Sequence, residues 1–195
     1  MIKILYVIST LQKTGPVNVL YNIIKNIDRT KFEPIILTLS KEPEGSIKND
    51  FDNLDIKCHC LNLSGLKGYF EARKISEVVK DIAPDFIHTH CFRSTLFTAL
   101  YLKQYKTIAT IHCDYDTYFV AYYGKLIGTI MVLLMNFSLK RISERICVSE
   151  LLCDILQKKK NFEFAYVNNG IDTYKFKSGK ERKCPIEERR KLSED

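Results

Sequence analysis

The segment Lys3–Val17 reads KILYVISTLQKTGPV, an apolar run followed by a polar loop with one glycine and by Pro16. The run predicts a buried β-strand, and Pro16 suits the first turn of a helix because an N–H there would lack a partner anyway. Beyond it, Val17, Leu20 and Ile24 recur at helical spacing. The segment therefore predicts the first strand, loop and helix start of an α/β domain, with a backbone-lined pocket at the loop.

Apolar strands and amphipathic helices alternate along the rest of the chain as far as residue 167. Further strands are predicted at Ile35–Leu39, Ile56–Leu63, Asp85–His88, Thr107–Ile111, Glu144–Val148 and Phe164–Val167. The helices between them are predicted at Ser46–Leu54, Phe70–Ile82, Ser94–Gln104, Tyr118–Lys140 and Ser149–Lys160. This alternation predicts a Rossmann-like, doubly wound parallel sheet of the α/β class, whose ligands bind beyond the carboxyl ends of the strands.

The composition limits the function without identifying it. The 195 residues carry a net charge of +7 and are 46% hydrophobic, which is enough for a domain with a large core. The charge is compatible with a nucleic acid, an anionic membrane surface or a phosphorylated substrate. Seven cysteines without a C-x-x-C pair predict reduced thiols in a cytoplasmic protein. No signal peptide is expected, and the apolar window Leu126–Leu139 is shorter than the ~20 residues of a membrane span.

Polar groups follow four of the predicted strands, at Thr14–Asn18, His88–Cys91, His112–Asp114 and Asn168–Asp172. Because the carboxyl ends of parallel strands meet at one edge of a sheet, we expect these groups to converge. In the first group, Gly15 allows close approach of a ligand, and the free amides of a helix start attract anionic or hydroxyl-rich ligands. The absence of G-x-G-x-x-G, G-K-[ST] and G-x-S-x-G motifs argues against a dinucleotide site, a P-loop and a triad hydrolase.

Three of the four histidines, His88, His90 and His112, fall in the two middle groups. Together with Asp114 or Asp116 they could hold Zn²⁺ or another divalent ion. A histidine at a strand end is more often a hydrogen-bonding or substrate-contacting residue, so the sequence predicts no metal site. Asp114 and Asp116 could also form a paired acid and base, although their spacing is equally that of a solvated turn.

The order and spacing of these motifs resemble the N-terminal half of the GT-B glycosyltransferases of family 4 (group 1), a large retaining family. The likeness runs through KILYVIS, TGPVNVLYNI, DFIHTHCFRS, ATIHCD, ICVSE and VNNGIDTYKF, and it covers Met1–Phe176. VNNGID followed by an aromatic residue is its most specific part. Family members usually have a glycine pair where this chain has Gly15 and Pro16, so one backbone donor is absent here.

The resemblance implies roles for individual residues. Gly15 and Asn18 look like the loop that lies under the donor phosphate and sugar. His112 is similar to the family histidine that touches the transferred sugar, so we expect it to be the catalytic residue. The other substrate-binding or cleft-lining positions that the resemblance implies are His90, Arg93, Asp114, Ser149, Glu150, Asn169, Gly170 and Asp172.

The resemblance also implies a domain organisation and a substrate class. Residues 1–174 look like the acceptor-side domain, and residues 175–195 look like an interdomain linker or the truncated start of a missing C-terminal donor-binding domain. The fragment alone is expected to be inactive. The donor would be a nucleotide diphosphate sugar, with no other cofactor, and the acceptor a glycan or lipid-linked glycan of bacterial surface polysaccharide synthesis.

The segment Tyr118–Leu139 has two interpretations. It is either a core helix that covers the sheet or a helix that touches the inner face of the cell membrane as a peripheral contact. Lys158, Lys159 and Lys160 could add attraction to anionic lipid, or they could simply complement the dipole of their own helix.

Two alternative functions belong to other classes. One is a basic, non-catalytic nucleic-acid-binding module, although the lysines are spread along the chain and no helix-turn-helix or RNP-like pattern is present. The other is a metal-dependent hydrolase built on His88, His90 and His112. Because of the family resemblance, we expect no nucleic-acid partner.

Overall fold

The computed structural model describes residues 1–63, 65, 68 and 71–171, which form a parallel sheet of seven strands with helices on both faces. The strands are β1 (Ile2–Ile8), β2 (Phe32–Thr38), β3 (Lys57–Cys60), β4 (Phe86–His90), β5 (Lys106–Ile111), β6 (Glu144–Cys147) and β7 (Ala165–Tyr166). The helices of the described part are α1 (Gly15–Asn26), α2 (Lys48–Asp52), α3 (Lys74–Ile82), α4 (Phe92–Tyr101), α5 (Tyr115–Tyr123), α6 (Lys125–Leu139) and α7 (Glu150–Lys159). The predicted fold class is confirmed.

The strand order is β3-β2-β1-β4-β5-β6-β7, so the chain starts in the middle of the sheet and winds outward in both directions. β1 pairs in parallel with β2 on one side and with β4 on the other. In doubly wound sheets, ligands bind beyond the carboxyl ends of the strands at the point where the winding changes direction. The loop that follows β1 and contains Gly15 lies at this point.

Side-chain alternation along β1 divides the core between the two faces of the sheet. Leu5 and Val7 pack against α3 and α4, while Tyr6 and Ile8 pack against α1 and α2. A further cluster joins β5 to α5, α6 and α7 on the same face as Leu5. Burial of β1 on both faces explains why its sequence is apolar from Ile4 to Ile8.

The predicted position of the β4 histidines is wrong. The sequence suggested a strand that ends at His88, with polar residues after it, but β4 continues to His90. Pairing with β1 on one side and β5 on the other binds the main chain of β4 along its whole length, which outweighs the polar composition. His88 and His90 therefore point to the same face, and the strand ends just before Cys91, which has a φ of +75°.

The prediction of one long helix over Tyr118–Lys140 is also wrong. The segment forms two helices, α5 and α6, separated by Gly124 with a φ of +79° and a ψ of 166°. This backbone conformation is open to glycine but strained for other residues. The chain turns there, and α6 folds back across α5 to form a helical hairpin.

The other predicted elements differ from the observed ones mainly at their ends. α2 is shorter than the predicted Ser46–Leu54, and β3, at the edge of the sheet, is shorter than the predicted Ile56–Leu63. The predicted helix start at Phe70, the candidate residue Asp172 and the predicted linker at 175–195 lie outside the described residues.

We expect the Gly128→Ala substitution to destabilise the hairpin. A Cβ atom at position 128 would lie 2.5 Å from Phe119 O and 2.5 Å from Val120 Cα, and these backbone atoms cannot rotate away. Overpacking of this kind should lower the free energy of unfolding by about 2 kcal/mol, measured by urea unfolding. Gly15→Ala is the control, because a Cβ atom there meets nothing within 4 Å. Equal losses in both variants would contradict the close crossing of the helices.

Candidate functional site

Three of the four polar groups that the sequence predicts at the carboxyl edge open into one cavity of about 840 Å³. The lining residues that these groups and the first loop contribute are Ser9, Pro16, Cys91, His112 and Cys113, and Arg93 of α4 lines the cavity as well. The fourth group, with Asn169 and Gly170, lines a neighbouring cavity of about 750 Å³. Thr110 lines both cavities, so the two lie side by side at this edge.

The start of α1 presents backbone donors to the space in front of the loop. Thr14 has extended dihedral angles and precedes the helix, and its carbonyl accepts a hydrogen bond from the amide of Asn18 at 2.9 Å. Pro16 has no N–H, so the donors that the first turn can offer are the amides of Gly15 and Val17. Gly15 is exposed with open space around its Cα, which leaves room for a ligand against the backbone.

Glu42, in the segment that follows β2, holds this loop by hydrogen bonds. Its Oε2 accepts a hydrogen bond from the amide of Leu11 at 2.8 Å and another from the hydroxyl of Ser46 at 2.7 Å. An isolated antiparallel β-bridge between Gln12 and Ser46 also connects the two segments. The loop between β1 and α1 is therefore held to the segment that follows β2.

A row of histidines crosses β4 and β5 on the face of the sheet that also carries Tyr6. The rings of His88 and His90 stack with their centroids 4.7 Å apart, and His90 Nδ1 lies 3.1 Å from His112 Nε2. At the other end, His88 Nε2 lies 2.7 Å from Thr110 Oγ1. His90 is 0% exposed, whereas His112 keeps part of its surface at the 840 Å³ cavity.

The hydrogen bond between His90 and His112 determines which nitrogen of each neutral ring carries the proton. His90 Nε2 is buried without a hydrogen-bond partner among the described residues. A buried N–H without an acceptor is the rarer and costlier arrangement, so we assign the proton of His90 to Nδ1, which donates to His112 Nε2. His112 then carries its own proton on Nδ1 and offers it as a donor.

All three rings are neutral at pH 7. Burial, together with repulsion from His112, lowers the pKa of His88 to about 4. Burial also lowers the pKa of His112 to about 4, and burial and the two neighbouring rings hold the pKa of His90 well below its ordinary value. A neutral His112 is suited to orient a hydroxyl group by hydrogen bonding, and it is a poor general acid at this pH.

The described residues contain no group of three or more His, Cys, Asp or Glu side chains that could hold a metal ion. The histidine row shows why. His90 Nδ1 and His112 Nε2 are directed at each other at 3.1 Å, so they cannot both coordinate a third atom. This geometry gives no support to the metal-dependent hydrolase.

Arg93 lines the cavity and is also tied to the loops after β2 and β3. Its Nη1 donates to Ser40 Oγ at 2.6 Å and its Nη2 to the carbonyl of Leu63 at 3.2 Å, and its guanidinium lies 5.3 Å from the centre of the Phe97 ring. These contacts fix α4 against the neighbouring loops. The substrate contact predicted for Arg93 stays a prediction, as does the one predicted for the fully buried His90.

Asp114 is held by two donors. Its Oδ2 accepts hydrogen bonds from Lys159 Nζ at 2.8 Å and from Thr117 Oγ1 at 2.8 Å. Burial alone would raise the pKa of Asp114, but the hydrogen bonds from Lys159 and Thr117 and the charge of Lys159 hold it below its ordinary value. Lys160 pairs in the same way with Asp116 at 2.7 Å. The two lysines therefore join the end of α7 to the start of α5.

The remaining candidates lie beyond β6 and β7. Ser149 caps α7 by accepting the amide of Leu152, and Glu150 begins that helix with an exposed side chain. The amide of Asn169 donates to the carbonyl of Val148 at 3.1 Å, and Gly170 has open space around it. The substrate contacts predicted for Glu150, Asn169 and Gly170 stay predictions.

Sequence reasoning missed Thr110, Glu42 and the two lysine pairs. Thr110 could have been found, because alternation along β5 puts it on the same face as His112, two residues away. Glu42 and the partners of Lys159 and Lys160 depend on how loops and helix ends meet in space. No local pattern in the sequence indicates those contacts.

Comparison with protein families gives one match. The model described as Glycosyltransferase Family 4 matches residues 14–175, a range that includes Gly15, the histidine row and Gly170. No curated protein matches the chain at a significant level.

Several solved structures share the fold. Anabaena HepE in complex with UDP has a TM-score of 0.67 and 13% identity over 89% of this chain and 45% of that chain. Sucrose-phosphate synthase from Thermosynechococcus elongatus has a TM-score of 0.66 and 12% identity over 90% of this chain and 50% of that chain. UDP-GlcNAc 2-epimerase from Neisseria meningitidis bound to UDP-GlcNAc has a TM-score of 0.62 and 13% identity over 86% of this chain and 46% of that chain.

The chain spans about half the length of these structures. At such low identity the likeness shows the fold alone, and the same fold occurs in a synthase and in an epimerase. The family match is the more specific finding.

Proposed function

We propose, on the premise that the chain belongs to Glycosyltransferase Family 4, that it is the acceptor-side domain of a retaining glycosyltransferase of GT-B architecture. The complete enzyme transfers a hexosyl group from a nucleotide diphosphate sugar to a glycan or lipid-linked acceptor. We assign it to bacterial surface polysaccharide synthesis on the cytoplasmic side of the membrane. A second domain supplies most of the donor contacts, so this domain alone does not catalyse transfer.

The observation that carries the proposal is the common cavity of His112 and the loop before α1. Pro16 and His112 come from distant parts of the chain, yet both line the same space at the switch point of the sheet. The amide donors of Gly15 and Val17 are suited to the donor diphosphate. The Nδ1–H of His112 is suited to a hydroxyl of the transferred sugar.

The electrostatics fit a positioning role for His112. Because its ring is neutral at pH 7, His112 adds no positive charge that would draw the diphosphate away from the amides of Gly15 and Val17. It donates a hydrogen bond in a fixed direction, since His90 holds its other nitrogen. Fixed donors of this kind favour the transition state because they need no reorganisation during the reaction.

A transfer assay tests the proposal. The full-length gene product is incubated with a panel of labelled nucleotide diphosphate sugars and a membrane extract from the source cells. We expect one donor to label a lipid or polysaccharide product. Absence of both transfer and nucleotide-sugar binding would contradict the proposal, and salt-dependent binding of a generic oligonucleotide would favour the nucleic-acid-binding module instead.

We expect Gly15→Val to raise the KM for the donor about tenfold with little change in kcat, since a side chain there fills the space that the diphosphate needs. The open surroundings of Gly15 predict that the fold tolerates the substitution. Steady-state kinetics with varied donor concentration measures the effect, and urea unfolding checks the fold. A normal KM in a folded variant would show that the donor does not approach this loop.

A further inference from the structure

The outer side of the α5–α6 hairpin carries large apolar side chains. We call this surface the hairpin face and define it by Tyr122, Leu126, Ile127, Ile130, Leu133 and Phe137, all of which are exposed. Leu126 is 77% exposed and Leu133 is 63% exposed. Contiguous apolar surfaces of this kind on a protein mark an interaction site.

α6 buries one side against the core and carries large apolar side chains on its exposed side as well. Its buried positions are Gly128, Met135, Ser138 and Leu139, whereas five other aliphatic side chains are exposed: Leu126, Ile127, Ile130, Leu133 and Leu134. α1 shows the ordinary arrangement, with Leu20 buried and Asn18 exposed. Burial in this domain therefore does not explain the apolar residues of the hairpin face.

The charges near the hairpin face have one sign. Lys125 lies at the start of α6, and Lys140 and Arg141 follow its end, and all three are exposed. No aspartate or glutamate occurs between residues 117 and 143. The guanidinium of Arg141 lies 3.8 Å from the centre of the Phe137 ring, which keeps a positive charge at the border of the apolar surface.

The hairpin face continues into the cavity that contains His112. Tyr118, Tyr123, Ile127 and Leu134 are exposed at the surface and also line that 840 Å³ cavity. Deeper in the cavity lie Phe92, Phe119, Met131 and Met135. An apolar path therefore leads from the outer surface of the hairpin to His112.

We propose that the hairpin face docks on an anionic lipid surface and that the apolar cavity behind it takes the hydrocarbon stem of the acceptor. The acceptor class is thereby narrowed to lipid-linked molecules, an inference that rests on the proposed transferase function. The bilayer presents the acceptor, its apolar stem enters between α4, α5 and α6, and its polar head reaches His112.

The chemistry of the hairpin face favours a lipid surface over a second copy or another protein. Apolar residues bordered by lysine and arginine match an interface where acyl chains lie beneath anionic headgroups. A second copy of this chain would bring the same positive charges together. None of the helices in the described residues is long and apolar enough to cross a bilayer, so the contact is peripheral.

Vesicle co-sedimentation with the purified full chain tests the docking face. We expect binding to vesicles of phosphatidylcholine with phosphatidylglycerol, weaker binding to phosphatidylcholine alone, and a decrease with added salt. Leu126→Gln should weaken binding about tenfold, and the triple variant L126Q/I130Q/L133Q should abolish it. Leu151→Gln is the matched control, because Leu151 is 71% exposed on α7, outside the hairpin face.

A single tryptophan gives an independent measurement, because the chain contains none. Leu126→Trp should show a blue shift on adding anionic vesicles and quenching by brominated acyl chains, whereas Leu151→Trp should show neither. Equal behaviour of the two reporters would overturn the proposal. Self-association of the unchanged chain that is lost in L126Q/I130Q/L133Q, together with no binding of the unchanged chain to vesicles, would overturn it in favour of a second copy.

The two proposals fail differently. Transfer to a water-soluble acceptor, together with no vesicle binding, would overturn the lipid inference and leave the transferase proposal intact. Absence of any transfer with any donor would overturn the transferase proposal, whereas the vesicle experiments would still decide whether the hairpin face docks on lipid. Solvent extraction of the labelled product identifies the acceptor class.

Discussion

Replacing His112 by alanine is expected to lower kcat of the full-length enzyme roughly 100-fold, the effect of losing one fixed hydrogen-bond donor to the reacting group. The side chain is partly exposed at the cavity and supports no part of the hydrophobic core, so the variant should fold. Its only hydrogen bond within the described residues is the one with His90. Initial rates at saturating donor and acceptor measure the loss, and thermal unfolding checks the fold.

The matched control is His59→Ala, because His59 is exposed on the edge strand β3 and does not line the cavity. It should retain full activity. A kcat for His112→Ala within a few-fold of that of His59→Ala would show that His112 does not orient the sugar, and the transferase proposal would then need another residue in that role.

Stability should fall steeply as the pH drops from 6.5 towards 4. The folded-state pKa of His88 and that of His112 are lowered to about 4, mainly by burial, and the pKa of His90 is lowered as well. The unfolded chain therefore binds more protons than the folded one throughout this interval, so the stability present above pH 6.5 is lost as the pH falls. Each histidine contributes up to roughly 1.4 kcal/mol per pH unit.

Urea unfolding at a series of pH values between 7.5 and 4.5, on the order of half a unit apart, measures this slope. The variant His88→Asn removes one titrating group, and its slope should be smaller by about a third. Among the described residues, no carboxylate shifts the pKa of a histidine in the row. The pKa of the adjacent Tyr6 is raised to about 12 by burial, so Tyr6 does not titrate in this range. A stability that stays constant over this range would show that the rings are not buried neutral in solution.

The sequence predicts the sheet well because each strand carries its own signal. β1 and β2 are apolar along most of their length, and buried parallel strands need this composition. The end of β4 is misjudged because Thr89 and His90 look like a loop until their pairing with the neighbouring strands is known. Gly124 gave a local signal for the break between α5 and α6, but the apolar residues around it suggested a continuous helix.

The sequence predicts where the candidate site lies better than it predicts the contacts within the site. Its position follows from topology, because parallel strands bring their carboxyl ends together. The hydrogen bonds of Arg93 to Ser40 and of Asp114 to Lys159 join residues more than 40 positions apart, and no periodicity in the sequence reveals them. The stacking of His88 on His90 follows from alternation only after the true end of β4 is known.

Cys113 and Asp114 are the whole connection between His112 and the first residue of α5. The three Cα–Cα steps from His112 to Tyr115 span at most about 11 Å, so the hairpin cannot move far from the histidine without displacing it. The short connection keeps the distance between the hairpin and His112 nearly constant. A surface that the hairpin contacts therefore lies at a fixed distance from His112. The length of an acceptor headgroup, more than its composition, would then determine which of its hydroxyl groups lies next to the transferred sugar.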